Sequence, residues 1–318
     1  MKDIIAIGEI LIDLTQTGVN ENKVPLFAAN PGGAPANVAV AASRLGASAG
    51  FVGKVGGDGF GAYLRRVLEG DGVDCSGLYT GSAPTTMAVV AVDERGERSF
   101  RFVRGADRDL TPDEAGCAAA GTRVLHFGSV SLTADPARSA TLAAVRAARE
   151  SGVLVSYDPN YRSALWPSQE EAVEWMRRPL ELADVLKLSD EELPLLTGTD
   201  RLEEGARALT ELGVRLVLVT LGGAGVYCRW RDESWRQSGV SVKVADTNGA
   251  GDTFLGAVLS RLCARGEKPL EGLARPELKD ILAFANRAAA FTCSRSGAIP
   301  AMPALEELFD KEGAPRLP

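Results

Sequence analysis

A mainly parallel β-sheet with helices on both faces, a three-layer α/β fold, is what the 318-residue sequence predicts from three observations. Short β-rich runs alternate with amphipathic helical stretches along most of the chain. The 35 glycines suit many tight strand-to-helix turns, and 45% hydrophobic content is enough for a sizeable core. One segment breaks the alternation and reads as a hairpin with no helix between its arms.

The elements follow in order. DIIAIG is a strand, a helix lies near Ala36 to Leu45, SAGFVGKV is a strand and a second helix lies near Gly61 to Leu68. RVLHFG, VLVSYD, ADVLKLS and VRLVLVTLG are later strands, separated by helical stretches such as DPARSATLAAVRAARESG and RLEEGARALTELG. The exception is TTMAVVAVDERGERSFRFVRG, two strands joined around Glu94 to Glu97. With the polar, extended stretch Leu14 to Asn30 it would form a small β-flap. The alternative is an edge hairpin of the main sheet. The expected organisation is one domain over residues 1–318, with a lid from about 14–30 and 86–106. On the lid strand, Phe100 and Phe102 alternate with Arg101 and Val103, so one face would cover a ligand and the other would pair with a second copy. A homodimer through the lid is the expectation.

Composition excludes several functions. A net charge of −7 argues against nucleic-acid binding. The five cysteines, at 75, 117, 228, 263 and 293, show no C-x-x-C spacing, so neither a zinc site nor a disulfide framework is indicated, and the chain reads as cytoplasmic. MKDIIAIGEILIDL is interrupted by Asp3, Gly8, Glu9 and Asp13 and reads as a buried strand, not a signal. No segment supplies the roughly 20 apolar residues of a membrane span. His126 is the only histidine, which leaves a carboxylate, Lys, Cys or Tyr as a general base.

The chemistry concentrates in five stretches. In DTNGAGDTFLGAVLSRL a helix begins near Ala250 to Asp252, which puts Gly249, Ala250 and Gly251 at its mouth, where unpaired amides favour an anion. Asp252 either complements the helix dipole or does chemistry there. GEILIDL places Asp13 directly after an apolar strand, where a carboxylate can accept from vicinal hydroxyls. NPGGAPANVAVAASRLG sets Gly32 and Gly33 before a helix, with Asn37 able to point back at a ligand. VLVSYDPNYRSALWP brings Asp158, Asn160 and Arg162 to a strand's carboxyl end, and KLSDEEL ends a strand at Lys187 and opens a helix at Glu192. VTLGGAGVYC makes a strand-to-strand turn with Gly222, Gly223 and Gly225. It is neither a dinucleotide fingerprint nor a P-loop, so a dehydrogenase is not indicated.

PGGAPANVAVAASRLGA and DTNGAGDTFLGA resemble the two signatures of the ribokinase-like (PfkB) carbohydrate kinases, in the family's order and separation, and GAIPAMP resembles its C-terminal stretch. The likeness runs from about Ile4 to Pro303. GGAPANVA, FRFVRGAD, DPNYRSALW and KLSDEEL look most like fructokinases. The resemblance implies a ribokinase-like fold, transfer of the γ-phosphoryl group of ATP to the terminal hydroxyl of fructose, and Mg2+ with the nucleotide. The runners-up are 2-keto-3-deoxygluconate kinase and other sugar or nucleoside kinases.

By that resemblance Asp252 is the general base, and Gly249, Ala250 and Gly251 form an anion hole assisted by Arg162. Asp13, Gly32, Gly33, Asn37, Phe102, Arg104 and Asn160 would contact the sugar. Lys187, Thr220, Gly222, Gly223, Gly225 and Asn286 would line the nucleotide site, and Glu192 would hold magnesium through water. A potassium ion, which several members do without, would sit among Asp246, Asn248, Thr292, Arg295 and Gly297. Three departures stand out: Asn248 where the family often has Thr, Ser189-Asp190-Glu191-Glu192 for its N-x-x-E element, and Phe102 and Val103 where keto-acid kinases tend to carry tyrosines.

Overall fold

The structure is a computed structural model that describes residues 1–92, 98–310 and 313–316. The strands are β1 (Lys2–Ile7), β2 (Leu11–Val19), β3 (Pro25–Gly32), β4 (Ala49–Gly56), β5 (Asp74–Gly81), β6 (Met87–Val92), β7 (Arg98–Val103), β8 (Thr122–Gly128), β9 (Leu154–Asp158), β10 (Val185–Ser189), β11 (Leu216–Thr220), β12 (Gly225–Trp230) and β13 (Glu233–Ser238). The helices are α1 (Ala34–Arg44), α2 (Gly59–Gly70), α3 (Pro112–Ala115), α4 (Ala137–Glu150), α5 (Gln169–Arg177), α6 (Glu192–Thr197), α7 (Leu202–Glu211), α8 (Ala250–Cys263) and α9 (Arg275–Cys293).

Nine strands form the main sheet in the order β13-β12-β11-β10-β9-β8-β1-β4-β5. All neighbours from β11 to β5 run parallel, and β12 and β13 close the other edge antiparallel. The inner strands are mostly apolar on both faces because both are covered, whereas the edge strands β5 and β13 carry exposed polar residues. Leu216 and Leu218 of β11 pack with α1, α8 and α9, whereas Val217 and Val219 pack with α4 to α7 on the opposite side. A smaller cluster under α1 and α2 includes Ala6 and Phe51. The expected three-layer arrangement is present.

The hairpin belongs to a second sheet and not to the main sheet's edge. Strands β3-β2-β6-β7 form a separate four-stranded layer, with β6 and β7 antiparallel. The expected hairpin turn at Glu94 to Glu97 lies outside the described residues. One boundary differs from expectation. The apolar run DIIAIGEILIDL is not one strand leading to Asp13: β1 ends at Ile7, and β2 begins at Leu11. Asp13 therefore sits inside the second sheet, opposite Asn30 and Ala88, and not at a main-sheet strand end. A continuous hydrophobic pattern hides a change of sheet, because both sheets bury part of the run.

The packing that positions the site is between α1 and α8. A Cβ on Gly256 would come within 2.7 Å of the Ala41 side chain and 2.9 Å of the Val38 carbonyl. This glycine lets the two helices approach backbone to backbone, which brings their amino ends together at the carboxyl edge of the sheet. Among the described residues no helix is long and apolar enough to cross a membrane.

Candidate active site

A cavity of about 660 Å³ opens between the carboxyl edge of the main sheet and the lid. That edge is where open α/β sheets bind ligands, and the volume suits a small molecule. Its walls come from the exit of β1 (Glu9), the second sheet (Asp13, Phe102), the start of α1 (Gly33, Ala34, Asn37), the segment after β9 (Asn160, Arg162), β10 (Lys187), the loop into α8 (Asp246 to Gly249) and the first turn of α8 (Gly251, Asp252).

Asp252 lies in the first turn of α8 and is 7% exposed. Asn37 of α1 donates from Nδ2 to its Oδ2 at 2.8 Å, and Asn160 approaches Oδ1 at 3.5 Å. Burial, with Asp158 nearby, pushes the carboxyl up to about 6 against the opposing pull of Lys187, Asn37 and Arg162. Gly249 caps α8 with φ 76°, a left-handed conformation that glycine adopts without strain. Gly249 and Gly251 line the cavity, whereas the Ala250 amide turns to the Thr247 carbonyl at 3.3 Å and Ala250 is off the wall. Of the three expected anion-hole residues, two face the cavity.

Behind this helix mouth lies a buried ion pair. Lys187 Nζ donates to Asp158 Oδ2 at 2.8 Å, and a Cβ on Gly251 would come within 2.9 Å of that Nζ. Burial alone would lower the ammonium, but Asp158, Glu192 and Asp252 hold it above its ordinary range. A full positive charge thus stands beside the N-terminal turn of α8, at the cavity wall.

At the other side, burial pushes the Asp13 carboxyl up to about 6, opposed by Arg162 and Asn248. A Cβ on Gly32 would fall within 2.5 Å of Asp13 Oδ2. Gly32 therefore makes room for that carboxylate and is not itself on the wall. Gly33, with φ 109°, packs against the Glu9 carbonyl, where a Cβ would come within 2.6 Å. Among the described residues, two buried side-chain atoms without a hydrogen-bond partner belong to cavity residues, Asn37 Oδ1 and Glu9 Oε2. Both are acceptors. Such atoms are costly to leave unpaired, and a ligand rich in hydroxyl donors would satisfy them.

Charge on the wall is unequal. Glu9, Asp13, Asp246 and Asp252 face only Arg162 and Lys187, and Lys187 is already paired. The site thus combines a buried carboxylate with raised affinity for a proton, a helix N-terminus, cations behind it and a lid. That combination fits proton abstraction from a hydroxyl beside a transferring anionic group.

A model described as the pfkB family carbohydrate kinase matches residues 1–305. The chain belongs to the pfkB family of carbohydrate kinases. It is 44% identical over 314 residues to the probable fructokinase-4 of Arabidopsis thaliana, covering 96% of this chain and 95% of that one. The structure resembles that of fructokinase from Xylella fastidiosa with bound ATP, with a TM-score of 0.88, 34% identity and coverage of 96% and 97%. It also resembles fructokinase from Vibrio cholerae O395 in its form with fructose, ADP and calcium ion, with a TM-score of 0.84, 36% identity and coverage of 95% and 96%.

In this carbohydrate kinase several expected site residues stand elsewhere. Arg104 does not line the cavity: Nε and Nη2 bind Asp107, at 3.4 and 2.6 Å, and Nη1 donates to Thr133 Oγ1 at 2.8 Å. Phe102 does line it, while Val103 is 41% exposed, as strand alternation requires. Thr220, Gly222, Gly223, Gly225 and Asn286 gather farther along the same edge. There Asn286 Nδ2 donates to the Ser238 carbonyl at 2.9 Å, and the Gly239 amide donates to the Ala224 carbonyl at 3.2 Å. They are brought together with one another but not onto the cavity wall.

Glu192 opens α6, but its two oxygens accept from the backbone amides of Tyr161 at 2.6 Å and Ser189 at 2.8 Å. Its visible work is to tie the segment after β9 to the end of β10. Asp246 accepts from the amides of Asn248 and Gly297, at 3.1 and 3.0 Å. Thr292 is fully buried against Thr253, and the Arg295 guanidinium is paired with Glu307. Among the described residues no three His, Cys, Asp or Glu side chains are grouped to hold a metal ion. Sequence reading passed over Glu9. Its signal was an acid immediately after the first buried strand, a ligand-bearing position in this class of sheet.

The raised Asp252 carboxyl has a consequence for stability. Its folded value of about 6 exceeds the ordinary 3.8, so the folded state holds the proton more tightly and the ionised form costs stability. That cost is absent below pH 4 and complete above pH 6, and two units correspond to about 3 kcal/mol. Asp252→Asn should therefore raise the unfolding midpoint at pH 7.5 and leave it near wild type at pH 4, as measured by thermal denaturation at both pH values. A variant less stable at pH 7.5 would contradict the assignment.

Proposed function

We propose that this kinase is an ATP:fructose 6-phosphotransferase. The observation that carries the reading is the cavity itself: a buried carboxylate at a helix mouth, on a wall whose residues Asn37 and Glu9 each keep an acceptor without a hydrogen-bond partner among the described residues. The fructokinase relatives support the same sugar.

Asp252 accepts the proton of the terminal hydroxyl as it attacks the γ-phosphorus. Asn37 fixes the orientation of the carboxylate. The cavity-facing backbone at Gly249 and Gly251, the α8 dipole, Lys187 and Arg162 stabilise charge on the transferring group. Positioning and field supply most of the acceleration in phosphoryl transfer, and the lid excludes water from the reacting hydroxyl. Magnesium bound to ATP would neutralise the β- and γ-phosphates. Among the described residues no three acidic, His or Cys side chains are grouped around it, and Glu192, which would act on it through water, also accepts from two backbone amides.

The wall's charge also separates fructose from 2-keto-3-deoxygluconate. A carboxylate-bearing sugar entering beside four acids needs a dedicated cation, and Arg104 is committed to Asp107. Fructose presents only hydroxyls. In a coupled ADP-release assay over a sugar panel, kcat/KM for fructose should exceed that for 2-keto-3-deoxygluconate by at least about tenfold. Asp252→Asn should lower kcat by about 10²–10⁴ while ATP still binds. A keto-acid that outruns fructose would overturn the substrate, and normal turnover by the variant would remove Asp252 from the chemistry.

Two further features belong to this reading. The loop around Asp246 and the end of α9 lie together, with the Ala245 amide donating to the Cys293 carbonyl at 2.8 Å and the Gly297 amide to Asp246. A potassium ion shared between such carbonyls and Asp246 would stiffen the anion hole. Activity should be modestly higher in K+ than in Na+ at constant ionic strength, and equal rates would dispose of a selective site. The lid exposes Val19, Leu26, Phe27 and Val103, a surface suited to a second copy. A dimeric mass in solution is expected, and a monomer at working concentration would rule the pairing out.

A further inference from the structure

Glu9 follows the exit of β1 and is 3% exposed. Oε1 accepts from the Ala34 amide, the first of α1, at 3.0 Å, while Oε2 is buried with no hydrogen-bond partner among the described residues. The residue lines the cavity. Burial pushes its carboxyl up to about 7, with Asp107 adding to the rise and its own amide, the Ala34 amide and Arg104 opposing it. A carboxylate kept this far from water, with one oxygen used and the other idle, is poorly explained as a helix cap alone. Such first-turn amides are ordinarily met by a short polar side chain at the cap position itself, at less cost, and the cap here is Gly33.

Its place relative to the base is fixed by α1. Ala34, which holds Glu9, and Asn37, which holds Asp252, are three residues apart on one helix, about 4.5 Å along its axis at 1.5 Å per residue. The two carboxylates thus stand at opposite ends of a short helical segment. A furanose ring with its substituents is of comparable length. With the reacting hydroxyl at Asp252, the hydroxyls that reach Glu9 are those at the far end of the ring.

We propose that Glu9 is a sugar-binding residue whose Oε2 accepts hydrogen bonds from the C1 and C2 hydroxyls of fructose, so that the protein reads the anomeric end of its substrate through this carboxylate. The inference rests on the fructokinase reading and goes beyond it by assigning recognition of that end to one side chain. It also explains the idle oxygen: the missing partner is the substrate.

The test is Glu9→Gln, which keeps an oxygen for the Ala34 amide and replaces the second acceptor with a donor. KM for fructose should rise at least tenfold, with kcat within threefold of wild type and KM for ATP unchanged. A merely structural role would not produce that split. Two analogues sharpen it: 1-deoxyfructose and 2,5-anhydromannitol, which lack the C1 and the C2 hydroxyl respectively. Wild type should pay at least tenfold in KM for each, and Glu9→Gln less than threefold. An unchanged KM for fructose, or equal analogue penalties in both proteins, would overturn the proposal. Should Glu9→Gln not fold, the wild-type complex with fructose decides. A C1 or C2 hydroxyl within hydrogen-bond distance of Oε2 supports the assignment, and the terminal hydroxyl or only water there refutes it. No turnover of fructose by wild type would instead remove the underlying reading, and the proposal with it.

Discussion

The hydrogen bond from Asn37 to Asp252 joins two helix starts that are 215 residues apart in sequence, and the site depends on it. A carboxylate buried in the first turn of α8 is tolerable only where donors meet it and a cation stands near. Asn37 supplies the first and Lys187 the second. For the contact to exist, α1 and α8 must pack almost backbone to backbone, which Gly256 permits. The sheet beneath them then sets which strand ends share the cavity, because β1, β9 and β10 all finish on this edge.

Electrostatics divide the cavity into two regions. Around the start of α8, Lys187 and Arg162 favour an anionic group, and the helix dipole acts in the same direction. Around Glu9 and Asp13 the wall is acidic and partly unpaired, which favours donors and penalises anions. Burial raises both carboxyls. A ligand bearing hydroxyls toward the lid and receiving phosphate at α8 matches both regions. The boundary between them runs past Asp252, the group with affinity for a proton close to neutrality.

Much of this was legible in the sequence, and for physical reasons. Helical periodicity after Phe254 and the small residues before it placed the start of α8 to within a residue. The hairpin without an intervening helix announced two strands of the separate four-stranded sheet. Other features were hidden because they arise only from tertiary pairing. A single apolar run covered two strands of different sheets, so Asp13 was expected on the wrong layer. Arg104 was expected against the sugar, whereas its guanidinium is held by Asp107, on a turn whose geometry the sequence does not disclose. Glu192 was expected to act on magnesium through water, and the two backbone amides that its oxygens also meet had no signal in the pattern. Glu9 looked like an interruption in a strand. Its idle oxygen becomes visible only when the cavity around it is known.

Asp252 is held to meet the sugar hydroxyl that receives the γ-phosphoryl group of ATP at the mouth of α8. The most direct measurement is a crystal structure of the wild-type kinase with fructose and a non-hydrolysable ATP analogue. The terminal C6 hydroxyl is expected at hydrogen-bond distance from an Asp252 carboxylate oxygen, about 2.6–3.2 Å, with the γ-phosphate at the mouth of α8. A sugar whose nearest hydroxyl to Asp252 lies beyond one intervening water, or a γ-phosphate away from the Gly249–Gly251 backbone, would contradict it.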